Sequence, residues 1–99
     1  MLLIQILLPI SAKRGRALLQ RSQEVLSKKF GGVTCYSRAP AEGLWEEGES
    51  GRTIKDEVIV IEVMIESIDK AWWQNYRQTL EKDLQQEEII IRALSFEKI

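Results

Sequence analysis

Short apolar stretches alternate with longer amphipathic ones along this chain of 99 residues. Residues 2–8 are almost wholly aliphatic, as expected of a buried β-strand. Residues 33–38 and 56–65 are rich in β-branched residues, and residues 88–97 contain a last aliphatic run. Residues 56–65 are apolar on both faces of a strand, which is typical of a central position. The pattern therefore predicts four strands, with the third in the middle of a sheet.

Two amphipathic stretches predict helices. The first follows Ser11, a candidate N-cap, and stops at the Gly31–Gly32 pair. The second begins after Ser67 or Asp69, either of which can cap it. The i, i+4 spacing predicts that its buried stripe consists of Trp72, Tyr76, Leu80 and Leu84. Trp73 is predicted to point away from this stripe.

The order of these elements is β-α-β-β-α-β, the split βαβ arrangement of ferredoxin-like folds. We therefore predict an α+β sandwich, one ferredoxin-like domain over residues 1–99, with two helices on one face of an antiparallel sheet. The expected strand order is 4-1-3-2, which makes the first and third strands central. Residues 39–55 are rich in Pro, Gly and Glu and are predicted to form a loop or hairpin insertion.

Strand alternation divides the side chains of the predicted sheet between two faces. One face is almost wholly aliphatic and suits the side beneath the helices. The other, called the open face here, mixes apolar side chains with Gln5, Tyr36, Arg38, Glu62 and Arg92. An apolar face of this kind usually marks an interaction site, and its simplest cover is a second copy packed sheet against sheet. We therefore predict a homodimer of the dimeric α+β type, formed through the open face.

Charges inside apolar strands are costly unless they are paired, hydrated or turned toward a pocket. In the predicted strand order, Gln5 can bridge Glu62 and Arg92. These residues can bind the carboxylate of a small organic ligand, because an arginine fork matches a carboxylate. They can also transfer protons, with Glu62 as the base and Arg92 and Tyr36 stabilising negative charge. A third interpretation is a satisfied polar cluster that sets the register of the dimer.

Two further candidates lie near the second strand and in the insertion. Tyr36 and Arg38 share a face, either to line a cleft or as a surface pair that protects a sheet edge. Trp45 can close over a ligand as a lid, or it can pin the insertion onto its own core. The candidate ligand-binding residues are thus Gln5, Tyr36, Arg38, Trp45, Glu62 and Arg92. The candidate catalytic residues are Glu62, Arg92 and Tyr36, and the sequence leaves open whether the protein is an enzyme.

Composition removes several classes of function. The chain contains no histidine, which excludes Ser-His-Asp and Cys-His catalysis and imidazole metal ligands. A net charge of -1 and a pI near 5.5 argue against nucleic-acid binding. Phosphate-binding glycine motifs and EF-hand spacing are missing from the sequence, so we predict neither a cofactor nor a metal.

The cellular location is predicted from the first residues and from the single cysteine. Residues 1–10 lack the basic start of a signal peptide and are too short to span a membrane. Cys35 can form no internal disulfide, which fits a reducing compartment, and its helix-facing position suggests an inert thiol. We therefore expect a cytoplasmic protein with no membrane partner.

Several short segments resemble a known group of proteins. They are Phe30-Gly31-Gly32-Val33-Thr34-Cys35-Tyr36, Gly43-Leu44-Trp45 and Asp56-Glu57-Val58-Ile59-Val60. They resemble small uncharacterised bacterial proteins in which a Phe-x-Gly-x-Thr strand is followed by a Gly-x-Trp hairpin and a hydrophobic strand. Tyr76 and the later Gln86-Glu87-Glu88-Ile89 are similar to that group's step into its last strand. The resemblance implies a ferredoxin-like domain and transfers no catalytic residue, because the group has no settled activity.

Overall fold

A computed structural model describes residues 1–10, 14–38 and 41–99, except for the side chains of Trp45, Glu47, Ser50 and Ile54. Within these residues, two helices and an antiparallel sheet form an α+β architecture. The elements are β1 (Leu2–Pro9), α1 (Gly15–Phe30), β2 (Thr34–Cys35), β3 (Ala41–Glu47), β4 (Arg52–Ile65), α2 (Lys70–Leu84) and β5 (Ile91–Ser95), with a 3-10 turn at Gly48–Ser50.

β1 and β4 form the centre of the sheet. They pair in antiparallel register from Leu2 opposite Ile65 to Pro9 opposite Val58. β1 pairs with β5 along its other edge. β2 and β3 both pair with β4. The resulting order, β2-β4-β1-β5, places the first and third predicted strands at the centre, as the sequence indicates.

The edge of β4 that faces away from β1 differs from the prediction. The second predicted strand, residues 33–38, is reduced to Thr34–Cys35, and the chain pairs with β4 again as β3. β4 begins at Arg52 rather than at Asp56. The insertion therefore forms a β-hairpin, and its turn carries Gly51 at a φ of 67°, which favours glycine.

Two of the helix ends agree with their sequence signals. Gly31 adopts a φ of 84°, and its N–H donates to the Ser27 carbonyl at 2.9 Å. This left-handed cap explains why a glycine pair follows α1. Asp69, one of the two predicted caps of α2, accepts a hydrogen bond from the Trp72 N–H at 3.1 Å. Both caps satisfy backbone groups that the helix itself leaves unpaired.

The start of α1 depends on a glycine that sequence reasoning did not single out. Ser11, the candidate N-cap, lies outside the described residues. The helix begins at Gly15, which is buried against the end of β1. A Cβ at this position would lie 2.7 Å from the Ile10 Cα. Gly15 therefore allows the helix and the first strand to approach more closely than a side chain would permit.

Both helices pack against the same face of the sheet. The buried core combines the helix-facing residues of the central strands with one stripe of each helix. Its members include Ile4, Ile6, Leu8, Ile59, Ile61 and Val63 from the strands and Leu18, Leu26, Trp73, Leu80 and Leu84 from the helices. The opposite face of the sheet is left without a covering layer among the described residues.

Trp73, rather than Trp72, is the core tryptophan of α2. Its exposed fraction is 4%, so the predicted stripe was wrong at this position. Trp73, Leu80 and Leu84 are separated by seven and four residues, which also places them on one helical face. Trp72 is half-buried and stacks on Tyr76 with the ring centroids 5.0 Å apart.

Candidate functional site

The open face carries polar residues at one level across the strands. Gln5 on β1 lies opposite Arg92 on β5 and opposite Glu62 on β4. Thr34 on β2 lies on the other side of Glu62. Tyr36 follows β2, and its backbone N–H donates to the Val60 carbonyl at 3.0 Å. We call Arg92, Gln5, Glu62 and Tyr36 the polar row.

Hydrogen bonds connect the polar row from end to end. Arg92 Nε donates to Gln5 Oε1 at 2.7 Å, and Gln5 Nε2 donates to Glu62 Oε2 at 2.8 Å. The Tyr36 hydroxyl donates to Glu62 Oε1 at 3.0 Å. The predicted Gln5 bridge is therefore confirmed. An amide suits this position because it can accept from a cation and donate to an anion at the same time.

Glu62 changes the acidity of its neighbour Tyr36. The hydrogen bond to Glu62 raises the pKa of the Tyr36 hydroxyl, and the negative charge of Glu62 raises it further. Both effects favour the neutral phenol. Tyr36 is therefore a hydrogen-bond donor to Glu62 throughout the neutral pH range.

Apolar side chains flank the polar row on both sides. Leu3 lies opposite Met64 and Leu94 at one level, and Leu7 lies opposite Val60 at the other. Met64 is 57% exposed and Leu94 is 45% exposed. The open face is thus striped along the strand direction, with a polar level between two apolar levels.

One predicted ligand-binding residue, Arg38, is not brought into the polar row, and another, Trp45, is described only in its backbone. Arg38 is exposed and lies beyond the end of β2, where strand alternation no longer determines its direction. Trp45 has its backbone in β3, but its side chain lies outside the described residues. Cys35 is half-buried against the core, on the helix-facing side that alternation predicts.

Two cavities lie away from the centre of the polar row. One of about 150 Å³ lies between α2 and β5, and Lys70, Arg77 and Arg92 contribute to its walls. A wider one of about 500 Å³ lies between α1 and β2, beside Val33 and Cys35. Neither is lined by Gln5 or Glu62. A small ligand at the centre of the row would therefore need a second surface to enclose it.

Glu81 has a structural role that sequence reasoning missed. Its Oε2 accepts hydrogen bonds from the Ile89 N–H at 2.8 Å and from Arg77 Nη1 at 3.1 Å. The first bond joins α2 to the segment that leads into β5. The Arg77–Glu81 spacing of i, i+4 is visible in the sequence, whereas the bond to Ile89 depends on how the chain turns after the helix.

Asp56 is a second carboxylate that the sequence did not single out. It lies in β4 and is 9% exposed, and its Oδ1 has no hydrogen-bond partner among the described residues. Burial is the main cause that raises the pKa of Asp56. The described residues contain no cluster of three or more metal-ligating side chains, so Asp56 is not part of such a group.

Comparison with known proteins adds no relative to this picture. No protein family, curated protein or solved structure matches the chain. In the described part of the chain, neither helix has the length and apolar character that crossing a membrane requires.

Proposed function

We propose that the protein is a ferredoxin-like interaction module of the cytoplasm that acts as a homodimer through its open face. The observation that carries this proposal is the pattern of two apolar levels on either side of the polar row, one of which exposes Met64 and Leu94. Exposed apolar patches of this kind usually mark interaction surfaces. The free thiol of Cys35 is compatible with a reducing compartment.

The polar row has a structural part in this proposal. Both oxygens of Glu62 already accept hydrogen bonds, from Gln5 and from Tyr36. These bonds tie Glu62 to β1 and to the residue that follows β2, so the arrangement supports a register-setting role better than a catalytic one. We also propose that a small organic acid binds between the two sheets, where the terminal amino groups of Arg92 can bind its carboxylate.

Solution mass tests the homodimer. Light scattering on the wild type should give twice the chain mass of 11.4 kDa. Met64→Lys places a charge on an apolar level of the open face and should give a monomer with an unchanged circular dichroism spectrum. Gln78→Lys, at an exposed position of α2, is the matched control and should remain a dimer. A monomeric wild type, or a Met64→Lys protein that remains a dimer, would contradict the proposal.

A further inference from the structure

The polar row carries a positive charge toward one end and a negative charge toward the other. Arg92 on the edge strand β5 carries the positive charge, and Glu62 carries the negative charge on the other side of Gln5. The middle of the sheet lies between β1 and β4. Rotation by half a turn about a line through this middle can therefore bring the positive end of one row over the negative end of another.

We propose that the two-fold axis of the dimer runs parallel to the strands, between β1 and β4. This inference rests on the proposed homodimer and specifies its geometry. Rotation about this axis keeps each residue at its level along the strands and exchanges β5 with β2 and β1 with β4. Arg92 of the partner subunit then lies over Thr34, the β2 residue opposite Glu62, and so next to the Glu62 carboxylate.

The apolar levels also match under this rotation. Met64 faces the partner's Leu3, and Val60 faces the partner's Leu7, because each pair occupies the same level of the register. Polar residues meet polar residues at the middle level, where Glu62 faces the partner's Gln5. The dimer therefore buries its apolar side chains against each other and leaves no charge against an apolar level.

An axis perpendicular to the strands does not give this match. If it passes through the polar row, Arg92 lies over the partner's Arg92 and Glu62 lies over the partner's Glu62. Like charges that face each other across an interface oppose association. Moving that axis along the strands places the charges over apolar levels, where they lose hydration without gaining a partner. If the two sheets cross at right angles, Arg92 likewise lies over an apolar level of the partner and loses hydration without gaining a partner.

The partner subunit thereby completes the polar row. Within one chain, Gln5 separates Arg92 from Glu62. Packed sheets lie about 10 Å apart, a separation that two facing side chains span together. Arg92 of the partner subunit therefore supplies a cation near Glu62, and the symmetric contact forms at the other side of the axis.

Charge reversal tests the axis. Arg92→Glu and Glu62→Lys should each raise the dimer dissociation constant by about tenfold or more, because each puts like charges together across the interface. The double variant Arg92→Glu/Glu62→Lys should restore the dissociation constant to near the wild-type value. Circular dichroism of each variant reports whether the monomer is folded. An axis perpendicular to the strands predicts that neither single reversal weakens the dimer.

Cross-linking gives a second measurement that does not depend on the charge variants. In a Cys35→Ser background, two Val58→Cys sites would lie about 11 Å apart between Cα atoms, from a strand spacing of about 4.8 Å and a sheet spacing of about 10 Å. A perpendicular axis through the row would separate the two Cα atoms by about 28 Å, from a rise of about 3.3 Å per residue and the same sheet spacing. Thr34→Cys is the matched control. Its two copies lie far apart if the axis is parallel to the strands, and they face each other if the axis is perpendicular to the strands and passes through the row.

The outcomes separate the axis from the dimer itself. Cross-linking at Val58→Cys with a short bifunctional maleimide, together with rescue by the double charge reversal, supports the axis. A dimer that cross-links at Thr34→Cys, or that is indifferent to both single reversals, overturns the axis and leaves the homodimer intact. A wild type that is monomeric in light scattering overturns both.

Discussion

Gln5 lies directly opposite Glu62 in the β1–β4 register, and its amide donates to the Glu62 carboxylate at 2.8 Å. The same amide accepts from Arg92. Gln5 is thus the residue through which a cation and an anion on non-adjacent strands are connected. A direct ion pair between Arg92 and Glu62 would have to cross β1, so a neutral bridging group fits the three-strand geometry better.

Replacing the bridge should destabilise the protein. In Gln5→Leu, Arg92 loses its acceptor and Glu62 loses one donor, and we expect the free energy of unfolding to fall by about 1–2 kcal/mol. Urea unfolding at one fixed protein concentration measures this change. Gln78→Leu, at an exposed site of α2, is the control and should change stability little. Equal stability of the Gln5→Leu protein and the wild type would show that the bridge is not needed.

Removing the charge of Glu62 should make Tyr36 more acidic. The hydrogen bond and the charge of Glu62 both raise the pKa of Tyr36, so Glu62→Gln should move this pKa back toward the ordinary tyrosine value. Absorbance of the phenolate during an alkaline titration measures the change. Burial raises the pKa of Tyr76, and Tyr36→Phe identifies which step belongs to Tyr36. A Tyr36 titration that is identical in both proteins would contradict the assignment.

The same contact affects stability at high pH. Because the folded-state pKa of Tyr36 is higher than the unfolded-state pKa, folding favours the protonated phenol. Its contribution is fully present below the unfolded-state pKa and is lost as the pH rises through the folded-state pKa. The wild type should therefore lose more stability at alkaline pH than Tyr36→Phe does. Thermal unfolding of both proteins across this range gives the comparison.

Neutralising Asp56 should stabilise the protein at neutral pH. Burial raises the pKa of Asp56, so its ionised form opposes folding above the folded-state pKa, and this penalty disappears as the pH falls toward the unfolded-state pKa. Asp56→Asn keeps the shape and removes the charge. We expect a gain of about 1 kcal/mol at pH 7. Its advantage over the wild type should shrink on acidification, as measured by urea unfolding at several pH values.

The bond from Ile89 to Glu81 should contribute to stability. Ile89 is 2% exposed, so removing the acceptor of its N–H leaves a buried donor unpaired. Glu81→Ala should lower the free energy of unfolding by about 1–3 kcal/mol. Glu81→Gln keeps an acceptor oxygen and should lose less. Glu87→Ala, at an exposed position nearby, is the control, and chemical denaturation that finds all three variants equal would contradict this role.

The two tryptophans of α2 should differ in their contribution to stability. Trp73 is almost fully buried in the core, and Trp73→Ala should cost about 3–5 kcal/mol or prevent folding. Trp72 is half-buried, so Trp72→Ala should cost clearly less. Thermal unfolding of the two variants side by side measures the difference. A larger loss of stability in Trp72→Ala than in Trp73→Ala would contradict this assignment and favour the stripe that contains Trp72.

Local signals in the sequence identify much of the fold. Gly31 and Asp69 mark helix ends through their own backbone and side-chain chemistry, and neither depends on distant contacts. Gln5 and Glu62 could be placed side by side because alternation and strand order together determine which residues share a face and a level. All four residues of the polar row were therefore predicted, whereas Arg38, predicted together with them, is not part of it because the strand ends at Cys35.

The remaining features depend on packing between distant segments. Helical spacing allows both Trp72 and Trp73 on the face of Leu80, and only the position of α1 and the sheet decides between them. Gly15 is needed because β1 and α1 approach closely, which a linear pattern does not reveal. The hydrogen bond between Tyr76 and Ser22, at 2.9 Å, likewise joins two helices whose contact cannot be read from either sequence segment alone.

The central position of β1 has a consequence for the order of events during synthesis. Its partners are distant in the chain, with Gln5 bonded to residues 57 and 87 positions later. The strand is made before both of its partners, and neither edge can pair until β4 and then β5 have left the ribosome. Its aliphatic run therefore stays without strand partners during that interval, when unpaired apolar strands are prone to aggregate. Folding should be slow for the size of the protein, because long loops must close before the sheet forms.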